Sequence, residues 1–210
     1  MSTGRMEAFS DGVVAILITI MVLELHVPHG TRWAALGPDV PLLLIYLLSF
    51  VNIGIFWNNH HHMLQATYHV TGLVLWANLH LLFWISLIPF VNEWMGENHF
   101  ATPAVASYGI VLLGAALAYY GLQTAIIRDQ GPDSLLAKAI GNDIKGKVSP
   151  VIYAAGAALA FVNRWISIGL YVGMAALWLI PDRRVETVVQ AGEDGAGSHA
   201  GANRRGSPKR

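Results

Sequence analysis

The chain has 210 residues, 54% of them hydrophobic and only 12% charged, with a mean hydropathy of +0.48. That is too apolar for an ordinary water-soluble domain. The 13 Lys and Arg balance the 13 Asp and Glu, so the total implies no nucleic-acid partner, and the absence of cysteine excludes disulfides, thiolate metal sites and cysteine nucleophiles. The chain reads as an all-α integral membrane protein lying in a lipid bilayer.

A helix needs about 20 residues to cross a hydrocarbon core, because lipid offers the backbone no hydrogen-bond partner. The first candidate span runs from about Met6 to Leu25. Glu7 and Asp11 stand in its leading turns and no small-residue cleavage site follows, so it reads as a retained helix rather than a signal peptide. A loop with Pro28, Gly30, Gly37, Pro38 and Pro41 leads into a second span, about Val40 to Leu64, and the third covers about Thr71 to Val91 with Pro89 near its end. The fourth runs from about Ala104 to Ile127. A polar stretch with a short surface helix around Ser134 to Ile140 precedes the fifth and sixth spans, about Val151 to Val162 and Trp165 to Ile180. These two are short, and a single re-entrant hairpin is the alternative.

Arg5, the loop between spans four and five, and the C-terminal tail hold 11 of the 13 basic residues. The positive-inside rule then places both termini in the cytoplasm, with Trp33, Trp94 and Trp165 near the outer interface and Trp178 near the inner one. Residues 1–185 form the expected membrane domain. Residues 186–210 are rich in Gly, Ala, Ser and charge without apolar periodicity and are expected to be a disordered cytoplasmic tail.

Ionisable groups inside a membrane are costly and face a protein interior or an aqueous path. The first span holds the densest set: Arg5, Phe9, Ser10 and Asp11 form R-x-x-x-F-S-D, and Glu24 and His26 follow at its far end. At about 100° per residue, with Arg5 at zero, Phe9, Gly12, Ile16, Thr19, Ile20 and Leu23 all fall within about 60° of it, and Asp11 points about 120° away toward neighbouring helices. Periodicity alone favours a buried helix with polar ends, since the other faces are apolar too.

R-M-E-A-F-S-D-G, with Thr19 eight residues after Asp11, resembles the signature of the transmembrane protein 175 family, the endosomal and lysosomal potassium channels and their prokaryotic relatives. The likeness extends to Ser49-Phe50, Trp57 and His60 in span two, Asn78 and Pro89-Phe90 in span three, and Trp178 before Pro181-Asp182-Arg183-Arg184. It implies six transmembrane helices per subunit, with helix 1 lining the central pore of a homotetramer in the cell membrane, and it implies a channel rather than an enzyme. No T-V-G-Y-G loop is present. Mapped onto this chain, the resemblance puts a hydrophobic constriction at Ile16, apolar rings at Ile20 and Leu23, and a hydroxyl layer at Thr19. Such a neck closes by dewetting. Potassium sheds water more readily than sodium, so the expected permeant ions are monovalent cations with a modest preference for potassium. No cofactor is expected.

The same resemblance gives Arg5, Phe9, Ser10 and Asp11 the task of holding the pore helix to its neighbours, with Trp57, His60 and Asn78 as candidate partners. Asp11 is expected to neutralise a buried cation. Glu24 is read from its position as attracting cations at the outer mouth, with an ordinary helix-end carboxylate as the alternative. Three adjacent histidines, His60 to His62, point about 100° apart and cannot all reach one ion, so polar support is preferred to metal binding, with proton sensing open. His80 reads as a packed, hydrogen-bonded ring. The competing function is a membrane-bound haem or metal redox protein using His60 to His62, His69 and His80; a secondary transporter would call for inverted repeats, and none is seen.

Overall fold

In a computed structural model, residues 2–140 and 144–179 are described, and among them every regular element is helical. Residues 180–210, which include the expected tail and the end of span six, lie outside the described residues. Helix α1 spans Thr3–Leu23, and a 3₁₀ helix at Trp33–Asp39 leads into α2, Val40–Gln65. The expected third span continues past Val91 and is broken in two, α3 at Gly72–Ser86 and α4 at Ile88–Glu97. Pro89 explains the break: it donates no N–H and its ring crowds the carbonyl of Ile85. The chain tightens instead, and the Leu87 N–H donates to the Trp84 carbonyl at 3.2 Å.

Helix α5, Thr102–Gln130, is followed by the short α6, Leu135–Ile140, and by α7, Ile144–Leu159, and α8, Arg164–Leu179. Helix α7 begins before the expected span from Val151 and runs through Pro150. Four stretches are long and apolar enough to cross a membrane: Thr3–Leu23, Trp33–Gln65, Gly72–Glu97 and Thr102–Gln130. Helices α7 and α8 have 16 residues each, roughly 24 Å at 1.5 Å per residue against a hydrocarbon core of about 30 Å. Their connecting turn carries Phe161 and Val162, both fully outward and more than 70% exposed. An apolar tip of this kind belongs in lipid rather than in water.

Helix α5 is the centre of the bundle, packed on α3, α4, α7 and α8. Its small residues allow the close approach. A Cβ on Gly114 would run into the Trp84 ring, and one on Gly109 or on Gly156 of α7 would run into Tyr171. Gly121, from the same small-residue run, faces open space. Tyr171 is fully buried between these helices, and its hydroxyl donates to the Val105 carbonyl at 3.2 Å. A second buried knot joins α2, α4 and α5. There the Ser49 hydroxyl donates to Asn92 Oδ1 at 2.8 Å and lies 3.0 Å from the Tyr108 hydroxyl, which Asn52 Nδ2 approaches to 3.4 Å. The α4–α5 connection is tight, with His99 and Phe100 at φ of 48° and 58°, a region that side chains other than glycine rarely enter.

Candidate functional site

Helix α1 lies at the edge of the bundle, against α2, α3 and α4. The residues it buries are Met6, Ser10, Val14, Leu17 and Met21, spaced three or four apart as one face of an α-helix requires. The opposite face is uncovered within the subunit: Phe9, Ile16, Ile20 and Leu23 are 54, 58, 40 and 80% exposed, and Gly12 and Thr19 are exposed between them. The stripe read from the helical wheel is therefore the face of α1 that its own subunit leaves bare.

Thr19 interrupts the apolar stripe with oxygen. Its hydroxyl donates back along the helix, to the carbonyls of Ile16 at 2.9 Å and Ala15 at 3.1 Å. The hydrogen is thus held inside the helix, and the lone pairs of Oγ1 are what the stripe presents.

The other side of α1 is tied down by polar contacts, all between residues 3 and 11. Trp57 Nε1 on α2 donates to Asp11 Oδ1 at 2.9 Å. Asn78 Nδ2 on α3 donates to Ser10 Oγ at 3.0 Å, and that hydroxyl donates in turn to the Met6 carbonyl at 2.8 Å. His60 Nε2 lies 2.7 Å from Asn78 Oδ1. An amide oxygen only accepts, so in this arrangement the imidazole proton sits on Nε2. His60, Asn78 and Ser10 are all buried, and each link of the chain from α2 through α3 to α1 has its donor and its acceptor. Buried polar groups satisfied in this way fix the relative rotation of the helices that carry them.

Within the subunit, Ser10, Asp11, Trp57, His60 and Asn78 come together, and Arg5 and Phe9 do not join them. Both stand exposed on the bare side of α1. Asp11 bonds to an indole N–H and not to a buried cation; the two histidine–carboxylate contacts among the described residues are elsewhere, at His61–Glu7 and His69–Asp129. The first of these was not singled out in the sequence. His61 Nδ1 donates to Glu7 Oε1 at 2.8 Å and Gln65 Nε2 donates to His61 Nε2 at 2.9 Å, so Glu7 and His61 add a further tie between α1 and α2. The signal available was spacing: Glu7 lies four residues before Asp11, and His61 four after Trp57, so each pair shares a helix face. Thr3 Oγ1 completes the set by donating to the Thr67 carbonyl at 3.3 Å.

The histidines have separate partners. His60 bonds Asn78, His61 bonds Glu7, His69 lies 2.9 Å from Asp129, and His80 Nε2 accepts from Trp84 Nε1 at 3.0 Å. Among the described residues, no three His, Asp or Glu side chains converge as metal ligands. At the other end of α1, Glu24 lies within hydrogen-bonding reach of Glu93 on α4, with Glu97 and His26 close enough to act on the same carboxyl group. Glu93 and Glu97 also line an open cleft of about 330 Å³ with Phe90 and Trp94.

Comparison with known proteins places this arrangement. The sequence profile described as the endosomal/lysosomal potassium channel TMEM175 matches residues 5–89, the stretch that contains Arg5, the whole α1 stripe and its partners through Asn78. The chain is 53% identical over 186 residues to a potassium channel of Chryseobacterium sp. (strain P1-3), covering 89% of this chain and 97% of that one. A potassium channel of Streptomyces collinus is 32% identical over 189 residues, with 84% and 90% covered. Among solved structures, the crystal structure of a lysosomal potassium-selective channel TMEM175 homolog from Chamaesiphon minutus superposes with a TM-score of 0.74 at 28% identity, over 85% of this chain and 96% of that one. With identities this high over nearly the whole length of its relatives, and with the fold in common, the chain belongs to the TMEM175 family.

Proposed function

We propose that this protein is a potassium-permeable cation channel of the cell membrane, a homotetramer in which four copies of α1 surround a central pore. The observation that carries the reading is the bare stripe of α1. Ile16, Ile20 and Leu23 are large apolar side chains with no partner in the subunit, on a helix whose other side is firmly bonded to α2 and α3. Four copies facing one axis would bury the stripe against itself. The relatives named as potassium channels supply the permeant ion.

In this arrangement Ile16 forms the narrow dry neck, with Ile20 and Leu23 as further rings, and ions pass only when the neck wets. The Thr19 oxygens stand between the Ile16 and Ile20 levels as acceptors and replace part of the water an ion sheds. That cost is lower for potassium than for sodium, which gives a modest preference. Ser10, Asp11, Trp57, His60 and Asn78 hold the helix at the angle that points the stripe inward, and Arg5 and Phe9 continue the stripe to the cytoplasmic mouth. Glu24, with Glu93 and Glu97 beside it, concentrates cations at the outer mouth. Six helices cross the membrane with both termini cytoplasmic, α7 and α8 being the thin pair, and residues 1–185 form the channel domain. The protein conducts and does not catalyse.

The test is potassium and sodium flux into liposomes carrying the purified chain. Wild type should pass potassium faster than sodium. Ile16→Asn should wet the neck and raise flux about tenfold, the equivalent of about 1.4 kcal/mol off the barrier, and Thr19→Val should reduce the preference for potassium. Absence of flux in wild type, or an Ile16→Asn flux equal to it, defeats the reading. The mass of the detergent-purified particle, expected at four times the 22.8 kDa chain, tests the tetramer separately.

A further inference from the structure

An apolar groove of about 510 Å³ runs between α2 and α8, walled by Leu44, Leu47 and Val51 on one side and Ile168, Val172 and Ala176 on the other. From Trp165 to Leu179 it measures roughly 21 Å at 1.5 Å per residue, longer than the acyl depth of one leaflet, half of about 30 Å. Its wall on α2 lies about 100° around that helix from Trp57, the residue that holds α1, so the groove opens away from the stripe.

One end of the groove differs chemically from the rest. Phe100 and Trp165 close it, their ring centroids 5.6 Å apart, and the Arg164 guanidinium lies 5.6 Å from the centroid of the Trp165 ring. Phe100 reaches this place from a left-handed backbone, φ 58°, which costs energy that the ring contact helps to offset. Among the described residues Arg164 has no carboxylate within ion-pair distance. It also stands at the first position of α8, the positive end of the helix dipole, where a cation is disfavoured unless an anion is present. The neighbouring turn carries exposed Phe161 and Val162, apolar side chains that seat this end of the hairpin in the bilayer. A guanidinium stacked on a Trp165–Phe100 pair suits the level of lipid phosphates, since aromatic side chains gather at the bilayer interface.

We infer that the α2–α8 groove is a binding site for a glycerophospholipid with a net anionic headgroup, one acyl chain lying between Leu44 and Val172 and the phosphate resting on Arg164. Any acyl chain satisfies the walls. The guanidinium selects the headgroup, because a negative phosphodiester supplies the missing counter-charge while a zwitterionic lipid brings its own cation.

The probe is phosphatidylglycerol carrying a diazirine on one acyl chain, mixed with phosphatidylcholine in vesicles that hold the full chain. Photolysis should label the peptides carrying residues 44–51 and 168–176 above all other lipid-facing segments. Ala176→Trp, a change at an exposed position that fills the groove, should cut that labelling at least about fivefold, and Arg164→Gln should lower the preference for phosphatidylglycerol over phosphatidylcholine by about fivefold, with Arg164→Lys restoring much of it. Even labelling of all outward helices overturns the site, as does groove labelling that neither Ala176→Trp nor Arg164→Gln changes. A benzoylphenylalanine placed at Val172 that captures a second copy of the chain instead of lipid also overturns it. None of these readouts depends on ion flux, so the site stands or falls separately from the channel.

Discussion

Helices α1 and α5 are both long and apolar enough to span a membrane and have nearly equal mean hydropathy, yet half of the most apolar stretch of α5 is buried inside the subunit and only 28% of that of α1 is. The difference is in what surrounds them. α5 is enclosed by helices that reach it because Gly109 and Gly114 leave room, and its polar group, Tyr108, is bonded to Ser49. α1 is covered on one side and bare on the other. Apolar content says that a helix lies in the membrane; the presence of partners says whether it belongs to the core of one subunit or to a surface that something else must cover.

The largest effect should come from crowding the α5 side. Gly156→Leu would push a branched side chain into Tyr171, and overpacking of this kind costs about 3 kcal/mol; thermal melting in detergent should drop sharply, and a variant that melts like wild type contradicts the packing described. On the α1 side, the α3 substitution Asn78→Leu removes the middle of the buried chain and leaves His60 and the Ser10 acceptor without that partner, at a cost of about 2 kcal/mol. The same melt measures it, and Tyr108→Phe, which removes one hydroxyl from a different knot, should cost less.

Asp11→Ala should cost about 1.5 kcal/mol, since the bond is to a charged acceptor but Trp57 is 44% exposed. Asp11→Asn keeps an oxygen for the indole N–H and should recover most of the loss; equal damage from both would mean that the charge, and not the acceptor, matters. The smallest effect is expected at Glu24. Glu24→Gln should leave stability unchanged and lower potassium flux about twofold at low salt, with the difference fading near 1 M as the charges are screened.

Much of this comparison was readable before any coordinates. The 100° periodicity of an α-helix gathers Ile16, Thr19, Ile20 and Leu23 regardless of what the helix touches, and R-x-x-x-F-S-D marks α1 by residue identity. Pro89 carries its own signal, and the α3–α4 break falls where its missing N–H requires. Other features leave no local trace. Ser49 and Tyr108 are 59 residues apart, and nothing in the spacing of either reports the other. Asp11 meets the indole N–H of Trp57, one of the partners expected for this set, and not the expected cation. The fifth span was expected to begin at about Val151, where the polar stretch ends, yet α7 begins at Ile144 and passes through Pro150.

The ties on α1 have a mechanical consequence. Thr3, Glu7, Ser10 and Asp11 bond to α2, α3 and the α2–α3 connection, whereas from Val14 to Leu23 no described side chain of α1 hydrogen-bonds to another helix, and beyond them the Glu24 carboxyl group lies beside that of Glu93. The helix is clamped by hydrogen bonds at one end and held beyond it by the apolar packing of Val14, Leu17 and Met21 alone. Small tilts at the clamp grow toward the tip, so Leu23, roughly 18 Å beyond Asp11 at 1.5 Å per residue, sweeps further than Ile16 at less than half that distance. A stimulus that changes the contact between Glu24 and Glu93 therefore acts with the longest lever arm along α1.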